Sequence, residues 1–385
     1  MSQLDDAEPL PSLVIDFGRG YIKYNSTFSD NIPSSNSSSV VCNETRNVIA
    51  IQKGNPDEEV KYMIDIDLRK GHRYAKVFYP MKEGHIKDWN VFEKMIDCLS
   101  RDSRVYMAET NTLMGFGPHM TENEMVKVAS VMFENFNTPE FGLVLDDCMA
   151  AVGSDTIYGT MLDCGYSSTR AVPIFDGVPL MESITELNFG GNNLIMHFLD
   201  LLKQSALYTI NADYIGDREY FGPYCLERNG YVPLDFEKEL KKVKINKIED
   251  LPDLRSAPLN NSVFICTQAL FDPSLVGLED PSMHNLIMQS ISKCDEQKQA
   301  ALSNVVPCGG MSNLKGLLAR LDKELKIVSK DSSFVPTLSE MKNRTKLPFI
   351  GGSIIVNSRT LFDKFSVKLE DYNEYGESIV KRKFL

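Results

Sequence analysis

An acid, two glycines and a lysine stand close together near the start of the chain, directly after a run of apolar residues. They are Asp16, Gly18, Gly20 and Lys23. Glycines let a backbone turn tightly and bring its N–H groups close to an anion. The spacing predicts a phosphate-binding hairpin in which Lys23 adds positive charge and Asp16 holds Mg²⁺ through water, because Mg²⁺ keeps several of its own waters. By itself, such a pattern is more typical of an ordinary hairpin turn.

A related pattern returns near the middle of the chain. Apolar residues lead into Asp163 and Gly165, small hydroxyl residues follow, and segment 171–175 is expected to be the returning strand. A repeated motif of this kind suggests a duplicated domain. Two hairpins that face each other from two lobes would close on one phosphate chain, so the repeat favours the phosphate interpretation over a chance turn.

The composition is that of a globular protein with more than one core. The chain has 385 residues, which predicts two or three domains. A net charge of −12, with no basic stripe, argues against nucleic-acid binding through phosphate neutralisation.

The eight scattered cysteines form no C-x-x-C pair and favour a reducing compartment. No run reaches the roughly 20 apolar residues of a membrane span and the polar start is unlike a signal peptide, so we expect the cytoplasm or nucleus.

Local signals place several elements between and after the two hairpins. Asp88 or Asn90 is expected to cap one helix, and Thr121 with Glu124 forms a capping box at the start of another. Segment 105–109 is expected to be a short buried strand. The apolar stripe of the second helix indicates core packing rather than a cofactor site.

Three later segments carry a resemblance to a known family. Residues 133–139, 350–354 and 378–383 resemble landmark segments of actin and the actin-related proteins, in the right order. The resemblance covers essentially the whole chain. It implies an α/β, actin-like ATPase fold: two lobes of duplicated RNase H-like topology, divided into four subdomains, with ATP or ADP and Mg²⁺ or Ca²⁺ in the cleft between them.

The resemblance also implies where the subdomains begin and end. Subdomain 2 would be 38–78 and subdomain 4 would be 190–278. The other two are discontinuous, with subdomain 1 at 1–37, 79–152 and 347–385, and subdomain 3 at 153–189 and 279–346.

Nucleotide-binding positions of the family can be carried over one by one. Asp16 and Asp163 would face the cation through water, and Glu227 would take the ribose hydroxyls. The remaining cofactor positions lie on the two phosphate loops and on the adenine and phosphate walls: Gly18, Arg19, Gly20, Lys23, Gly165, Gly191, Gly309, Gly310 and Met311.

The chain departs from the family where hydrolysis would occur. Asp146 stands where the family has a glutamine that orients the attacking water, and Arg170 stands where it has a histidine; these two are the candidate catalytic residues. Arg19 replaces a small hydroxyl residue that donates to the terminal phosphate. Tyr166 and Ser167 replace an acid and a glycine of the second loop. We therefore expect weak or absent ATP hydrolysis.

The leading interpretation is a divergent actin-related protein that holds ATP and serves as a structural subunit of a larger assembly, either cytoskeletal and motor-associated or chromatin-remodelling. The expected partners are actin or other actin-related proteins and a scaffold subunit that supplies a helix, with no direct nucleic-acid or membrane contact. The expected location is the cytoplasm and cytoskeleton, or the nucleus. Two alternatives stay open: a divergent cytoskeletal actin that polymerises and hydrolyses ATP, and an enzyme of the same superfamily such as a sugar kinase.

Overall fold

The computed structural model describes residues 10–27, 41–52, 61–64, 74–82, 84–204, 221–250 and 256–384. Within them the strands are β1 (Ser12–Phe17), β2 (Tyr21–Thr27), β3 (Asn43–Arg46), β4 (Ile49–Gln52), β5 (Tyr62–Met63), β6 (Tyr74–Phe78), β7 (Met81–Lys82), β8 (His85–Ile86), β9 (Asn111–Phe116), β10 (Glu140–Leu145), β11 (Gly159–Cys164), β12 (Thr169–Phe175), β13 (Val178–Pro179), β14 (Thr185–Leu187), β15 (Lys247–Asp250), β16 (Ser256–Leu259), β17 (Asn304–Cys308), β18 (Thr337–Leu338) and β19 (Ser366–Lys368).

The α-helices of the same residues are α1 (Trp89–Asp102), α2 (Glu122–Ser130), α3 (Asp146–Gly153), α4 (Gly191–Gln204), α5 (Gly222–Asn229), α6 (Phe236–Lys242), α7 (Ser262–Ile265), α8 (Met283–Ser292), α9 (Glu296–Leu302), α10 (Leu317–Val328), α11 (Leu347–Asn357), α12 (Arg359–Phe365), α13 (Leu369–Tyr375) and α14 (Glu377–Phe384). A π-helical turn, Val131–Asn135, continues α2. In this described part of the chain, no helix combines the length and the apolar character needed to cross a bilayer.

The first large sheet has the strand order β19-β10-β9-β1-β2-β3. Strands β1 and β2 form an antiparallel hairpin, and β9 and β10 continue the sheet as parallel strands beside β1. Every residue of β1 and of β10 is buried, as is usual for strands covered on both faces. This buried centre fixes the loop that follows β1 and the residues that follow β10.

The second large sheet repeats this arrangement. Its order is β13-β12-β11-β17-β18, with β14 also paired to β12. Strands β11 and β12 form an antiparallel hairpin, and β17 and β18 lie parallel beside β11. The shared order confirms the predicted duplication, and it makes the two hairpin loops equivalent positions in the two halves of the molecule.

A tight helix pair joins the two halves. Buried apolar side chains form one cluster around each sheet and a third cluster between the sheets, around α3 and α11. In this third cluster the two helix backbones touch, since a Cβ on Gly351 would overlap the carbonyl of Met149. Helix α3 directly follows β10, so its first residues lie where the two halves meet.

The predicted helix starts agree with the structure. The Asp88 side chain accepts a hydrogen bond from the Val91 N–H and caps α1. Both hydrogen bonds of the predicted capping box, between Thr121 and Glu124, are present at the start of α2.

The predicted strand over 105–109 is wrong. Met107–Glu109 is a short 3-10 turn, and β9 begins only at Asn111. Pairing with β1 decides this boundary, because Ser12 lies opposite Asn111 in the sheet. The subdomain boundaries stay a prediction, and much of the predicted subdomain 2 lies outside the described residues.

Candidate functional site

One cavity of about 700 Å³ brings the predicted site residues together. It is lined by both hairpin loops and by the starts of α3 and α4. All fourteen residues predicted for nucleotide binding or catalysis contribute to its lining: Asp16, Gly18, Arg19, Gly20, Lys23, Asp146, Asp163, Gly165, Arg170, Gly191, Glu227, Gly309, Gly310 and Met311. Their roles toward a nucleotide stay a prediction.

The first hairpin holds an acid and a base opposite each other. Asp16 and Lys23 are cross-strand partners in the β1–β2 register, and the Lys23 Nζ lies 3.5 Å from Asp16 Oδ2. Both side chains are buried. Burial, with smaller contributions from Asp146 and Asp163, raises the pKa of Asp16 to about 6 although Lys23 opposes the shift. Burial lowers the pKa of Lys23, but attraction to Asp16 and a smaller attraction to Glu44 together outweigh burial and raise the pKa.

A single asparagine holds the loop of this hairpin. Asn47, between β3 and β4, donates from its backbone N–H to the Gly20 carbonyl and from Nδ2 to the Gly18 carbonyl, both at 3.0 Å. Its side chain is buried, and its Oδ1 has no partner among the described residues. Because the two carbonyls are bound to Asn47, the loop is held in one conformation.

Backbone amides hold the loop of the second hairpin. The Gly191 N–H donates to the Gly165 carbonyl at 3.0 Å, and the Asn192 N–H donates to the Tyr166 carbonyl at 2.7 Å. Within the loop, the Gly165 N–H donates to the Ser168 carbonyl at 3.0 Å. The start of α4 therefore fixes this loop directly.

Arg170 lies at the centre of three carboxylates. Its Nε donates to Asp147 Oδ2 at 2.9 Å, and its Nη2 lies 2.7 Å from Asp146 Oδ1 and 3.1 Å from Asp163 Oδ2. Asp163 is its cross-strand partner on β11, whereas the other two acids begin α3. Burial opposes the charge on Arg170, but the three acids outweigh it and raise the pKa of the guanidinium. The cluster ties the second hairpin to the junction between the halves.

Burial disfavours the ionised form of two of these carboxylates, Asp147 and Asp163. Asp147 is 1% exposed and its Oδ1 has no partner among the described residues. Burial raises the pKa of Asp147 well above its usual range despite Arg170. Burial likewise raises the pKa of Asp163, with a further contribution from Asp146. The cluster thus depends on the guanidinium to stay ionised.

Arg19, at the tip of the first loop, is a half-buried cation with no ion pair to a described residue. Its guanidinium lies against Gly84, where a Cβ would overlap it. Burial lowers the pKa of Arg19, and the neighbouring Arg170 lowers it further, although Glu186 acts in the opposite direction. Two guanidinium groups therefore lie close together at this end of the cavity.

The two halves also meet across the cleft at two further places. A Cβ on Gly20 would lie 2.6 Å from the Tyr166 ring, so the two loops are in contact. His119, between β9 and α2, lies 2.8 Å from Glu186 on β14, through Nε2 and a carboxylate oxygen. These contacts narrow the end of the cavity that the two hairpin loops line.

The other end of the cavity has an apolar wall. Leu194, Ile195, Leu226 and Met311 line it and are buried. Glu227 stands exposed at this end, on α5. An apolar wall beside an exposed carboxylate can accept a flat base and a hydroxylated sugar.

The residues present do not fit a divalent cation that contacts both predicted acids directly, and the predicted contact through water stays a prediction. Asp16 Oδ2 contacts Lys23, and Asp163 Oδ2 contacts Arg170. Asp163 Oδ1 lies against Gly309, so closely that a Cβ there would overlap it. Among the described residues, no three or more His, Cys, Asp or Glu side chains are grouped to hold a metal ion directly.

Sequence reasoning missed four residues in or beside this site. Asp147 was a visible candidate, because it follows Asp146 directly at the end of a buried strand. Asn47 carried no signal, since its role arises from the contact between the β3–β4 connection and a loop distant in sequence. His119 and Glu186 likewise meet only through the tertiary structure.

Comparison with known proteins agrees with this architecture. The sequence profile of the actin family matches residues 7–220 and 225–385. A protein of Dictyostelium discoideum described as "Putative actin-29" is 28% identical over 304 residues, which cover 77% of this chain and 78% of that protein. The matched segments take in both hairpins, the acid–arginine cluster and the helix pair that joins the halves, and the chain belongs to the actin family.

Proposed function

We propose that this chain is an actin-related protein that holds ATP or ADP in its cleft and serves as a structural subunit, with weak or absent hydrolysis. One observation carries the proposal: the Asp146 carboxylate is engaged by the protein itself. Its Oδ1 accepts from Arg170 Nη2 at 2.7 Å and from the Asp147 N–H at 2.9 Å. An acid held in this way acts as a clamp between the halves rather than as a group that orients water.

Electrostatics supports the same conclusion. A residue that orients water for attack on a phosphoryl group must keep its geometry and must not repel the phosphate oxygens. An unpaired carboxylate about 6 Å from a phosphate charge would repel it by roughly 3 kcal/mol at an effective dielectric constant of about 20. That repulsion would slow attack by about two orders of magnitude. Arg170 compensates the charge, and together with the Asp147 N–H it holds Asp146 Oδ1, so the carboxylate is fixed by the protein.

A single-turnover assay with γ-labelled ATP tests the clamp. We expect little phosphate release from the wild-type protein, and Asp146→Asn should not slow it further. Asp322→Asn, an exposed acid paired with Lys326 on α10, is the matched control. Release as fast as that of conventional filamentous actin, abolished by Asp146→Asn, would identify Asp146 as a general base and overturn the clamp.

Nucleotide binding is tested separately by thermal unfolding. A ligand that binds only the folded state at a hundredfold excess over its dissociation constant stabilises that state by about 2.7 kcal/mol. We expect ATP or ADP to raise the melting temperature of the nucleotide-stripped protein. An unchanged melting temperature at saturating nucleotide would mean that the cavity no longer binds one.

We propose actin or other actin-related proteins and a helix-supplying scaffold as partners, in the cytoskeleton or the nucleus. Ser358 and Lys364 stand where the family has an apolar wall that receives partner helices; Lys364 is exposed, so a partner helix with an acidic residue fits best. A native pull-down with identification of the co-purifying chains tests this. Sedimentation after addition of Mg²⁺ and salt would reveal polymerisation, the property of the alternative, a cytoskeletal actin.

A further inference from the structure

Three cationic side chains line the end of the cavity where the two hairpin loops meet. Lys23, Arg19 and Arg170 all line it. Lys23 is paired with Asp16 at 3.5 Å, and Arg170 is within 3.1 Å of three carboxylates. Arg19 makes no ion pair with a described residue and lies near Arg170.

We propose that Arg170, supported by Arg19, takes the place of the divalent cation, so that this chain binds ATP or ADP as the metal-free nucleotide. The inference rests on the nucleotide binding proposed above. It concerns the ionic form of the ligand, not whether a nucleotide binds.

The contacts of Arg170 provide the first argument. A divalent cation in a nucleotide site links protein acids to phosphate oxygens. Arg170 already contacts the acids through Nε and Nη2. Its Nη1 makes no hydrogen bond to a described residue and lies beside Gly117 in the cavity lining, with no side chain from that position to cover it. A guanidinium stays charged and donates in a fixed plane that matches phosphate oxygens, so Nη1 is free to receive one.

The acids provide the second argument. A cation that contacted Oδ2 of both Asp16 and Asp163 would have to displace Lys23 from the first and Arg170 from the second. The cation would then lie beside the Arg170 guanidinium, which cannot lose its proton, and the two positive charges would repel each other. A phosphate anion, in contrast, gains attraction from Arg19 and Arg170 together. The same side chains therefore favour the nucleotide and disfavour the metal.

The experiment compares two buffers with the full-length, nucleotide-stripped protein. ATP is titrated by isothermal calorimetry once with excess MgCl₂ and once with excess EDTA. We expect ATP to bind more tightly in EDTA than in MgCl₂, because excess Mg²⁺ chelates ATP in solution and lowers the concentration of the metal-free form. An equal or weaker affinity in EDTA would overturn the inference while leaving nucleotide binding intact. Absence of binding in both buffers would overturn the proposed function and this inference with it.

A second readout does not depend on added ligand. Protein purified without chelator is assayed for bound nucleotide by chromatography and for Mg²⁺ and Ca²⁺ by mass spectrometry. We expect nucleotide without an equivalent amount of either metal. One metal ion for each nucleotide would contradict the inference.

Variants link the result to the two arginines. Arg19→Ser should fold, because Arg19 has no ion pair with a described residue, and should weaken ATP binding in EDTA by about tenfold and in MgCl₂ by less. The double variant Asp146→Gln/Arg170→His removes one charge of each sign and should make binding depend on Mg²⁺. If the double variant does not fold, Arg19→Ser still decides. Arg101→Ser, an exposed residue on α1 outside the cavity lining, should bind ATP as the wild type does in both buffers.

Discussion

Each of the two hairpins has an acid paired with a cation across its strands, but the two cations contact different numbers of carboxylates. In each, an acid on the first strand faces a cation on the second at the equivalent register: Asp16 opposite Lys23, and Asp163 opposite Arg170. The lysine pairs with its own hairpin's acid, at 3.5 Å. The arginine also reaches Asp146 and Asp147 at the start of α3. One cation therefore serves a local hairpin, whereas the other connects the two halves of the molecule.

The loops differ in what holds them. A side chain and a backbone amide of one residue, Asn47, hold the first loop. Backbone amides at the start of α4 hold the second. The first loop is therefore anchored to the β3–β4 connection, whereas the second is anchored to α4.

The largest expected effect is loss of the connecting cation. Arg170→Ala leaves Asp146, Asp147 and Asp163 without their common partner, and removal of one side of a buried ion pair costs about 3–5 kcal/mol. Lys23→Ala leaves only Asp16, whose pKa of about 6 lets it take up a proton, so we expect roughly 1–2 kcal/mol. Urea unfolding at neutral pH measures both. Equal costs would mean that the two cations have equivalent roles.

A glycine comparison tests how tightly each loop turns. A Cβ on Gly18 would lie 2.5 Å from the Tyr21 carbonyl oxygen, whereas one on Gly165 would lie 3.0 Å from the Ser168 oxygen. We expect Gly18→Ala to lower the free energy of unfolding by about 2 kcal/mol and Gly165→Ala by less. Gly310→Ala, with nothing within 4 Å of its added Cβ, is the control and should be nearly neutral. The reverse order for the two loop variants would refute this ranking.

Acidification acts on the first hairpin through Asp16. Its folded-state pKa of about 6 exceeds the usual unfolded value of about 3.9. The folded protein therefore takes up a proton as pH falls through about 6, and the stability gained there is lost again as pH rises. Compared with Asp16→Asn, which cannot titrate, the wild type should gain about 1.4 kcal/mol between about pH 7.5 and pH 5. Urea unfolding of both proteins at the two pH values measures this, and a relative loss on acidification would contradict it.

The smallest expected effect concerns the residue that holds the first loop. Asn47→Ala removes the hydrogen bond from Nδ2 to the Gly18 carbonyl, and we expect a loss of about 1 kcal/mol. Hydrogen exchange should quicken in residues 18–21 and stay unchanged in 165–168. Faster exchange in both loops would show that they are coupled through their contact at Tyr166 rather than held separately.

Much of the fold could be predicted from the sequence because its signals are local. Apolar runs ending in acids and glycines gave both hairpins, and the repeat gave the duplication. Cap signals at Asp88, Thr121 and Glu124 marked two helix starts. The predicted strand at 105–109 failed because strand limits are set by pairing with a neighbour, here β1, and not by local hydrophobicity.

The chemistry of the site was only partly determined by the sequence. Residue types and motif order fixed which side chains line the cleft, including Asp146 and Arg170. Only the tertiary structure decided which charges neutralise one another: Arg170 reaches Asp147 across 23 sequence positions, and Asn47 reaches Gly18 across 29. Such contacts depend on how β10, β12 and the β3–β4 connection are placed in space. Because an ion pair's strength depends on distance and burial, the number of charges in a sequence cannot show which of them remain available to a ligand.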